Sequence, residues 1–70
     1  MAELKSEISG RVIEVSVAEG DAVEAGQQIC LLESMKMEVP VEAPAAGKVR
    51  ELLVEEDDVL TEGQTIAILD

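Results

Sequence analysis

Residues 10–33, GRVIEVSVAEGDAVEAGQQICLLE, return in altered form as residues 47–70, GKVRELLVEEDDVLTEGQTIAILD. With a shift of 37 positions, 10 of the 24 aligned residues are identical, whereas composition alone would give about two. Similarity at a fixed spacing is typical of a repeated supersecondary unit. The sequence therefore predicts that two copies of one unit make up most of the chain.

Each copy has the pattern of short β-strands. Ile13, Val15 and Val17 alternate with polar residues and are predicted to fall on one face, and a period of two favours strand over helix. Turn sequences rich in glycine and acidic residues interrupt both copies, as AEGD and EAGQ in the first and EEDD and TEGQ in the second. This rhythm predicts an all-β antiparallel barrel or sandwich with four strands in each half. The predicted strands lie at about residues 4–8, 11–17, 28–33, 37–43, 48–54 and 65–69, with short ones near 22 and 59.

Pro40 and Pro44 restrict the fifth predicted strand. Proline has no amide hydrogen to donate, so Pro40 and Pro44 fit only where the missing N–H would face outward, on a sheet edge or at a strand end. Val39, Val41 and Ala43 share one parity along the strand. We expect these three side chains to face the core.

The length and the rare residues limit the function. Seventy residues form one small domain, residues 1–70, that has to be stabilised by regular packing. With no histidine and a single cysteine, Cys30, the sequence offers neither a metal-ligand pair nor a nucleophile with a histidine base. Cys30 lies in an apolar strand, and we interpret it as a small buried hydrophobic residue. The composition indicates a non-catalytic protein.

The charge indicates the type of partner. Sixteen acidic and five basic residues give a formal net charge of −11, which argues against binding to nucleic acid or to an anionic membrane surface. Basic proteins are the expected partners. The N-terminal sequence MAELKSE lacks the pattern of a signal peptide, and no apolar run has the length of a membrane span. We therefore expect a cytoplasmic protein.

The stretch LLESMKMEVPVEAP, residues 31–44, contains a predicted hairpin whose turn at residues 34–37 has no copy in the repeat. Two-residue hairpin turns with positive φ favour Asn-Gly or Asp-Gly, so Met35 and Lys36 sacrifice local stability there. A broken local rule without structural gain often serves a function. The turn is thus predicted to present Lys36 to a partner. An alternative for Met35 and Met37 is that both fold back as gap-filling core residues.

The segment ESMKMEVPVEAPAAGKV, with EGDAVEAGQ before it and EGQTIAIL after it, resembles the biotinyl domain of biotin carboxyl carrier proteins, close relatives of lipoyl domains. The resemblance extends roughly from Gly10 to Leu69. It implies a flattened eight-stranded antiparallel barrel or sandwich, made of two quasi-two-fold-related four-stranded halves, with the modified lysine on an exposed hairpin. It also implies that a biotin protein ligase attaches biotin covalently to Lys36.

The same resemblance implies the partners and the role. Biotin on Lys36 would carry a carboxyl group from a biotin carboxylase to the carboxyltransferase of a biotin-dependent acyl-CoA or keto-acid carboxylase. The residues predicted to be read by the ligase or another partner flank the lysine on both sides: Glu33, Ser34, Met35, Met37 and Glu38. Ser34 departs from the family pattern EAMKM, which has alanine at that position.

Two other functions remain open. A lipoyl carrier would use the same fold, although lipoyl domains usually flank the lysine with aspartate and a small residue, so MKM speaks against lipoate. An unmodified adaptor would use the hairpin only for binding, and its Lys36 would stay free in the presence of a ligase and biotin.

Overall fold

The computed structural model describes residues 2–70, and these residues form eight β-strands. The strands are β1 (Ala2–Lys5), β2 (Gly10–Val15), β3 (Ala22–Val23), β4 (Gln28–Ser34), β5 (Met37–Glu42), β6 (Gly47–Leu52), β7 (Val59–Leu60) and β8 (Thr65–Leu69). All of their pairings are antiparallel. The prediction of an all-β antiparallel fold with two short strands near residues 22 and 59 is confirmed. The described residues contain no helix with the length and apolar content of a membrane span.

The strands form two four-stranded sheets, with orders β1-β8-β6-β3 and β5-β4-β2-β7. The 37-residue shift converts β1 to β4 into β5 to β8, and it converts the first strand order into the second. The quasi-two-fold relation is therefore confirmed, with one addition. Each sheet takes two strands from each half of the chain, β1–β4 and β5–β8, so the halves are interleaved and neither forms a complete sheet alone.

The core lies between the two sheets, and most of its positions are filled by equivalent residues of the two copies. Since the chain has no aromatic residues, these positions are filled by aliphatic side chains and one thiol. The equivalent buried pairs are Val12 and Val49, Val17 and Val54, Val23 and Leu60, Ile29 and Ile66, Cys30 and Ala67, and Leu32 and Leu69. Burying a side chain of valine or leucine size contributes about 1.5–3 kcal/mol, so this paired core supplies much of the stability.

Four turns of one design connect the strands, at residues 18–21, 24–27, 55–58 and 61–64. In each turn the last residue donates its amide hydrogen to the carbonyl oxygen of the first. Its side chain, Asp or Gln, accepts a hydrogen bond of 2.8–3.1 Å from the amide of the first. The third residue has positive φ in every case, as in a type II turn: Gly20, Gly26, Asp57 and Gly63. The predicted turn sequences thus act as a repeated structural device.

Gly10 and Gly47 lie where the backbone of another segment comes too close for a side chain. A Cβ on Gly10 would lie 2.8 Å from the carbonyl oxygen of Glu33, and a Cβ on Gly47 would overlap the carbonyl oxygen of Asp70. Gly10 and Gly47 are equivalent in the repeat, as are their two neighbours. The repeated glycine therefore reflects packing and not a turn.

The first strand is shorter and earlier than predicted: β1 covers Ala2–Lys5, and the prediction of residues 4–8 is wrong at both ends. The register shifts between Leu4 and Lys5, and the chain bends beyond them. Ser6 is buried, and its hydroxyl donates to the carbonyl oxygen of Ile8, which satisfies the polar group inside the bend.

A β-bulge also changes the predicted core face of β2. The register to β4 shifts between Val12 and Glu14, so one extra residue is accommodated there. Val12 is wholly buried, whereas Ile13 is only half-buried. The prediction that Ile13 shares the core face of Val15 and Val17 is therefore corrected, because alternation does not continue through a bulge.

The edge position of β5 agrees with Pro40, which lies in it, and Pro44 follows beyond the strand end. β5 pairs only with β4, and Pro40 is exposed on this edge strand. Ala43 is buried, Val41 packs against the core, and Val39 is half-buried. The predicted inward face of this strand is confirmed.

Candidate functional site

The lysine turn closes the hairpin between β4 and β5. Ser34 pairs with Met37, which leaves Met35 and Lys36 as a two-residue loop. Their φ angles are 54° and 65°. Positive φ at both central residues defines a type I′ turn, the connection whose twist matches antiparallel strands and which favours Asn-Gly. The predicted strained turn is present, and neither of its residues is one that relieves the strain.

The two methionines point into solvent. Met35 is 89% exposed and Met37 is 63% exposed. The alternative in which they fill gaps in the core is therefore wrong. Exposed thioether side chains gain little from hydrophobic burial in the isolated domain, and they are adaptable contact groups for a partner.

The Lys36 side chain is exposed, and no carboxylate oxygen of residues 2–70 lies within 4 Å of its Nζ. Glu33 and Glu38 lie directly opposite each other at the base of the turn. Like charges in opposite positions of a ladder are unfavourable, so this pair again reduces local stability. Glu33, Met35, Met37 and Glu38 are exposed and Ser34 is half-buried. The structure brings these five residues together around the lysine, and their role in recognition stays a prediction.

A row of outward-facing residues leads from the lysine hairpin to β7. The registers place Glu38, Glu33, Arg11 and Val59 side by side across β5, β4, β2 and β7. Arg11 Nη2 lies 3.6 Å from Glu33 Oε1, so the guanidinium stands beside one acid of the like-charge pair. Arg11 and Val59 were not predicted as site residues, because strand register is a tertiary property.

Asp57 joins this row from the turn at residues 55–58. Its Oδ1 accepts a hydrogen bond of 2.9 Å from Arg11 Nη1, and its φ is 75°. Gly20 occupies the equivalent position of the first copy and adopts this backbone without a side chain. The repeat alignment already shows aspartate at position 57 where the first copy has glycine at position 20. This difference was the sequence signal that the two ends of the molecule are not alike.

An open depression lies between the lysine turn and β7. Its wall is formed by three segments, residues 7–10, 33–35 and 59–62. Met35 and Val59 both line it, and Val59 is 74% exposed. Hence the apolar surface at this end of the molecule extends beyond the lysine hairpin.

Cys30 lies in β4, inside the core, and is a free thiol. Its relative exposure is 0%, and burial raises the pKa of the thiol to about 11. A thiol of this kind is unreactive at neutral pH. The interpretation of Cys30 as a buried hydrophobic residue is confirmed. Among residues 2–70 no group of three or more Cys, Asp or Glu side chains is arranged to hold a metal ion.

Comparison with known proteins gives three consistent findings. A family model described as "Biotin-requiring enzyme" matches residues 2–69. The "Biotinylated protein TB7.3 homolog" of Mycobacterium leprae is 54% identical over 48 residues, which are 67% of this chain and 68% of that protein. The "Pyruvate carboxylase, mitochondrial" of Mus musculus is 42% identical over 45 residues, 64% of this chain but 4% of that enzyme.

Among solved structures, the urea carboxylase of Kluyveromyces lactis contains a similar fold. The TM-score is 0.91 with 36% sequence identity, over 99% of this chain and 6% of the carboxylase. The predicted flattened barrel or sandwich is thus found inside a much larger enzyme. The chain spans only a small part of both carboxylases.

Proposed function

Because the chain belongs to the biotin/lipoyl attachment family, whose model covers residues 2–69, we propose that Lys36 accepts biotin and that the domain carries a carboxyl group between two active sites. The observation that carries this proposal is the lysine turn. A type I′ position that favours Asn-Gly holds Met35 and Lys36, and both side chains stand in solvent.

The geometry of the turn suits covalent attachment. Lys36 has no carboxylate partner within 4 Å among residues 2–70, so no ion pair has to break before its amine enters another active site. The turn is tight and is fixed by the β4–β5 ladder, which holds the lysine Cα in a defined place. The side chain itself keeps its rotational freedom. A fixed base with a mobile arm is what a carrier needs.

The attachment reaction requires a partner enzyme. The new amide C–N bond takes the place of an N–H bond, so the partner has to accept a proton from Nζ. Biotin first becomes an acyl-adenylate at the expense of ATP, with release of pyrophosphate. Lys36 Nζ then attacks the carbonyl carbon, the C–N amide bond forms, the C–O bond to AMP breaks and AMP leaves. In our proposal a biotin protein ligase performs both steps.

Once attached, biotin supplies a ring nitrogen that accepts a carboxyl group and releases it at a second site. The chain's own residues do not take part in that chemistry. They fix the base of the arm, keep it in solvent and raise its effective concentration at two active sites. We propose a biotin carboxylase and a carboxyltransferase, acting in the cytoplasm on an acyl-CoA or keto acid, as the partners of this non-catalytic carrier.

The test is the intact mass of the purified protein after incubation with ATP, biotin and a biotin protein ligase. We expect one biotin adduct on the wild type and none on Lys36→Arg. The matched control is Lys48→Arg, which changes another exposed lysine in the same way and should keep the adduct.

Each contrary result selects another function. A lipoate adduct from a parallel reaction with a lipoate ligase, without a biotin adduct, would make the domain a lipoyl carrier. A protein that takes neither group would be an unmodified adaptor. An adduct that survives in Lys36→Arg would assign the modification to a different residue.

A further inference from the structure

We propose that the depression beside the lysine turn is a docking surface for the enzyme that modifies Lys36, and that this enzyme meets it with basic side chains around an apolar contact. We call the surface the lysine-end patch and define it by Glu7, Ile8, Met35, Val59 and Glu62, which all line the depression. The inference rests on the proposed modification of Lys36.

The apolar part of the patch is not required by the fold. Val59 is 74% exposed on β7, whereas the next residue, Leu60, is wholly buried. The equivalent strand β3 has Ala22 in the exposed position and Val23 in the buried one. The same backbone therefore accepts alanine at the outward position of the other copy, and valine at the lysine end needs another reason.

Ile8 shows the same difference between the ends. Its equivalent under the 37-residue shift is Ala45, which is exposed. Ile8 packs partly on the core and also lines the depression between the lysine turn and β7. At both positions the lysine end carries the larger apolar side chain. Together with Met35, these residues make the apolar centre of the patch.

The rim of the patch is acidic. Glu7 and Glu62 line the depression, and neither carboxylate has a basic partner within 4 Å among residues 2–70. Their equivalents in the repeat are uncharged, Pro44 and Ala25. The nearby Arg11 is held between Glu33 and Asp57. An acidic rim around an apolar centre complements a partner surface that has basic residues around an apolar contact.

The distance from the lysine identifies the occupant. The Lys36 side chain reaches roughly 6 Å from Cα to Nζ, from its bond lengths. An enzyme that takes Nζ itself into its active site has to approach the turn within that distance, and so contacts the surface around Met35. A partner that meets only the end of the longer modified arm can remain clear of the patch. The modifying enzyme is therefore the partner that the patch fits.

The experiment measures the rate of biotin incorporation against protein concentration, with ATP, biotin and a purified biotin protein ligase. We expect Val59→Arg to raise KM about tenfold while kcat stays within about twofold. The matched control Ala22→Arg adds the same charge at the equivalent exposed position and should leave both constants unchanged. The double variant Glu7→Gln/Glu62→Gln should raise KM at low salt and weaken its dependence on ionic strength.

Two controls separate docking from other effects. Acylation of Lys36 by a soluble biotin active ester should be equal in all variants, since it needs no docking. Circular dichroism reports whether Val59→Arg is folded, and Val59→Ala, which recreates the residue of the other copy, replaces it if it is not. We expect a smaller rise in KM for Val59→Ala.

Three results would overturn the inference. The first is an unchanged KM in folded Val59→Arg and Val59→Ala, with the wild type biotinylated on Lys36. The second is an equal rise in KM for Ala22→Arg, which would indicate a general charge effect. The third is a wild type that takes no biotin, which would remove the proposed function and this surface with it.

Discussion

The four repeated turns and the lysine turn follow opposite rules. Each repeated turn has a residue of positive φ at its third position, glycine in three cases, and an Asp or Gln side chain that binds the amide of its first residue. The lysine turn has positive φ at both Met35 and Lys36, and both are residues for which that backbone is unfavourable. The chain therefore has stabilising residues in turns that only connect strands, and it lacks them in the turn that carries Lys36.

The repeated turns belong to the structural scaffold, whereas the lysine turn belongs to the candidate site. The repeated turns and the paired core hold the sheets in register, and their residues recur in both copies. The lysine turn and the opposed Glu33 and Glu38 each sacrifice some local stability, and Val59 is exposed without serving the core. They all lie at one end of the second sheet, which is where a partner is expected to bind.

The largest effect that we expect is the protection of Cys30 in the scaffold. Because burial raises the pKa of its thiol to about 11 from 9.0, the thiolate population at neutral pH falls about 100-fold, and iodoacetamide should react more slowly still in the folded protein. Labelling followed by mass spectrometry, with and without urea, checks this. A rate equal to that of the unfolded chain would contradict a closed core.

The same thiol gives a pH dependence of stability. Its folded pKa lies above its unfolded one, so the thiol contributes stability below about pH 9, and that stability is lost as pH rises toward 11. Urea unfolding of the wild type and of Cys30→Ala isolates the effect, since alanine already occupies the equivalent position 67. The difference between the two proteins should shrink between pH 9 and 11.

A change at a repeated turn should have the next largest effect. Gly26 has a φ of 84°, and a Cβ at this position would meet no other atom within 4 Å, so Gly26→Val meets conformational strain alone. We expect a loss of about 2 kcal/mol in the free energy of unfolding. Urea denaturation measures it, with Ala25→Val as the neighbouring control. A neutral result would mean that this turn is not fixed by its backbone.

Removing a turn side chain should cost less. Gln64 accepts a 3.1 Å hydrogen bond from the amide of Thr61, and Gln64→Ala leaves that exposed amide to water. The expected loss is about 1 kcal/mol. Gln27→Ala, the equivalent change in the other copy, should give the same value by the same method. Unequal losses would show that the two copies are stabilised differently.

The lysine turn should respond in the opposite direction. Met35→Asn places a residue suited to positive φ in the type I′ turn, and we expect a gain of up to about 1 kcal/mol in stability. Biotin incorporation by the ligase should fall in the same variant, because an exposed contact group is lost. A destabilised Met35→Asn would indicate that methionine serves the fold.

The smallest change is expected at Asp57. Asp57→Gly relieves the strain of its positive φ but removes the hydrogen bond to Arg11, and an exposed ion pair contributes little. The net change should lie within about 0.5 kcal/mol. The reverse change, Gly20→Asp, strains a position of positive φ and has Lys48 in place of the equivalent Arg11, and since an exposed ion pair contributes little, the variant should be destabilising. Urea unfolding of both variants tests whether the asymmetry between the ends serves stability.

Much of the fold could be predicted from the sequence because the repeat appears twice. The strand type, the turn positions and the two-fold relation all follow from residues 10–33 and 47–70. The errors occurred where the backbone leaves regular alternation. The bulge after Val12 and the bend at Ser6 are set by pairing with β4 and with the turn at residues 61–64.

The site was predicted only in part. Lys36 and its sequence neighbours could be found because the turn broke a local rule and the motif resembled a known family. Arg11 and Val59 could not, since they join the lysine hairpin through strand pairing across the sheet. Nothing in a linear sequence specifies which outward residues of separate strands become neighbours.

The sequence by itself determined the repeat, the β pattern and the lysine at an unrepeated turn, because these depend on local propensity and periodicity. The tertiary structure alone decided that the two copies interleave, that Met35 and Met37 stand in solvent, and that an acidic, apolar-centred surface adjoins the lysine. Those features depend on which strands pair and in which register. Contacts between distant residues, and not their spacing in the chain, set that register.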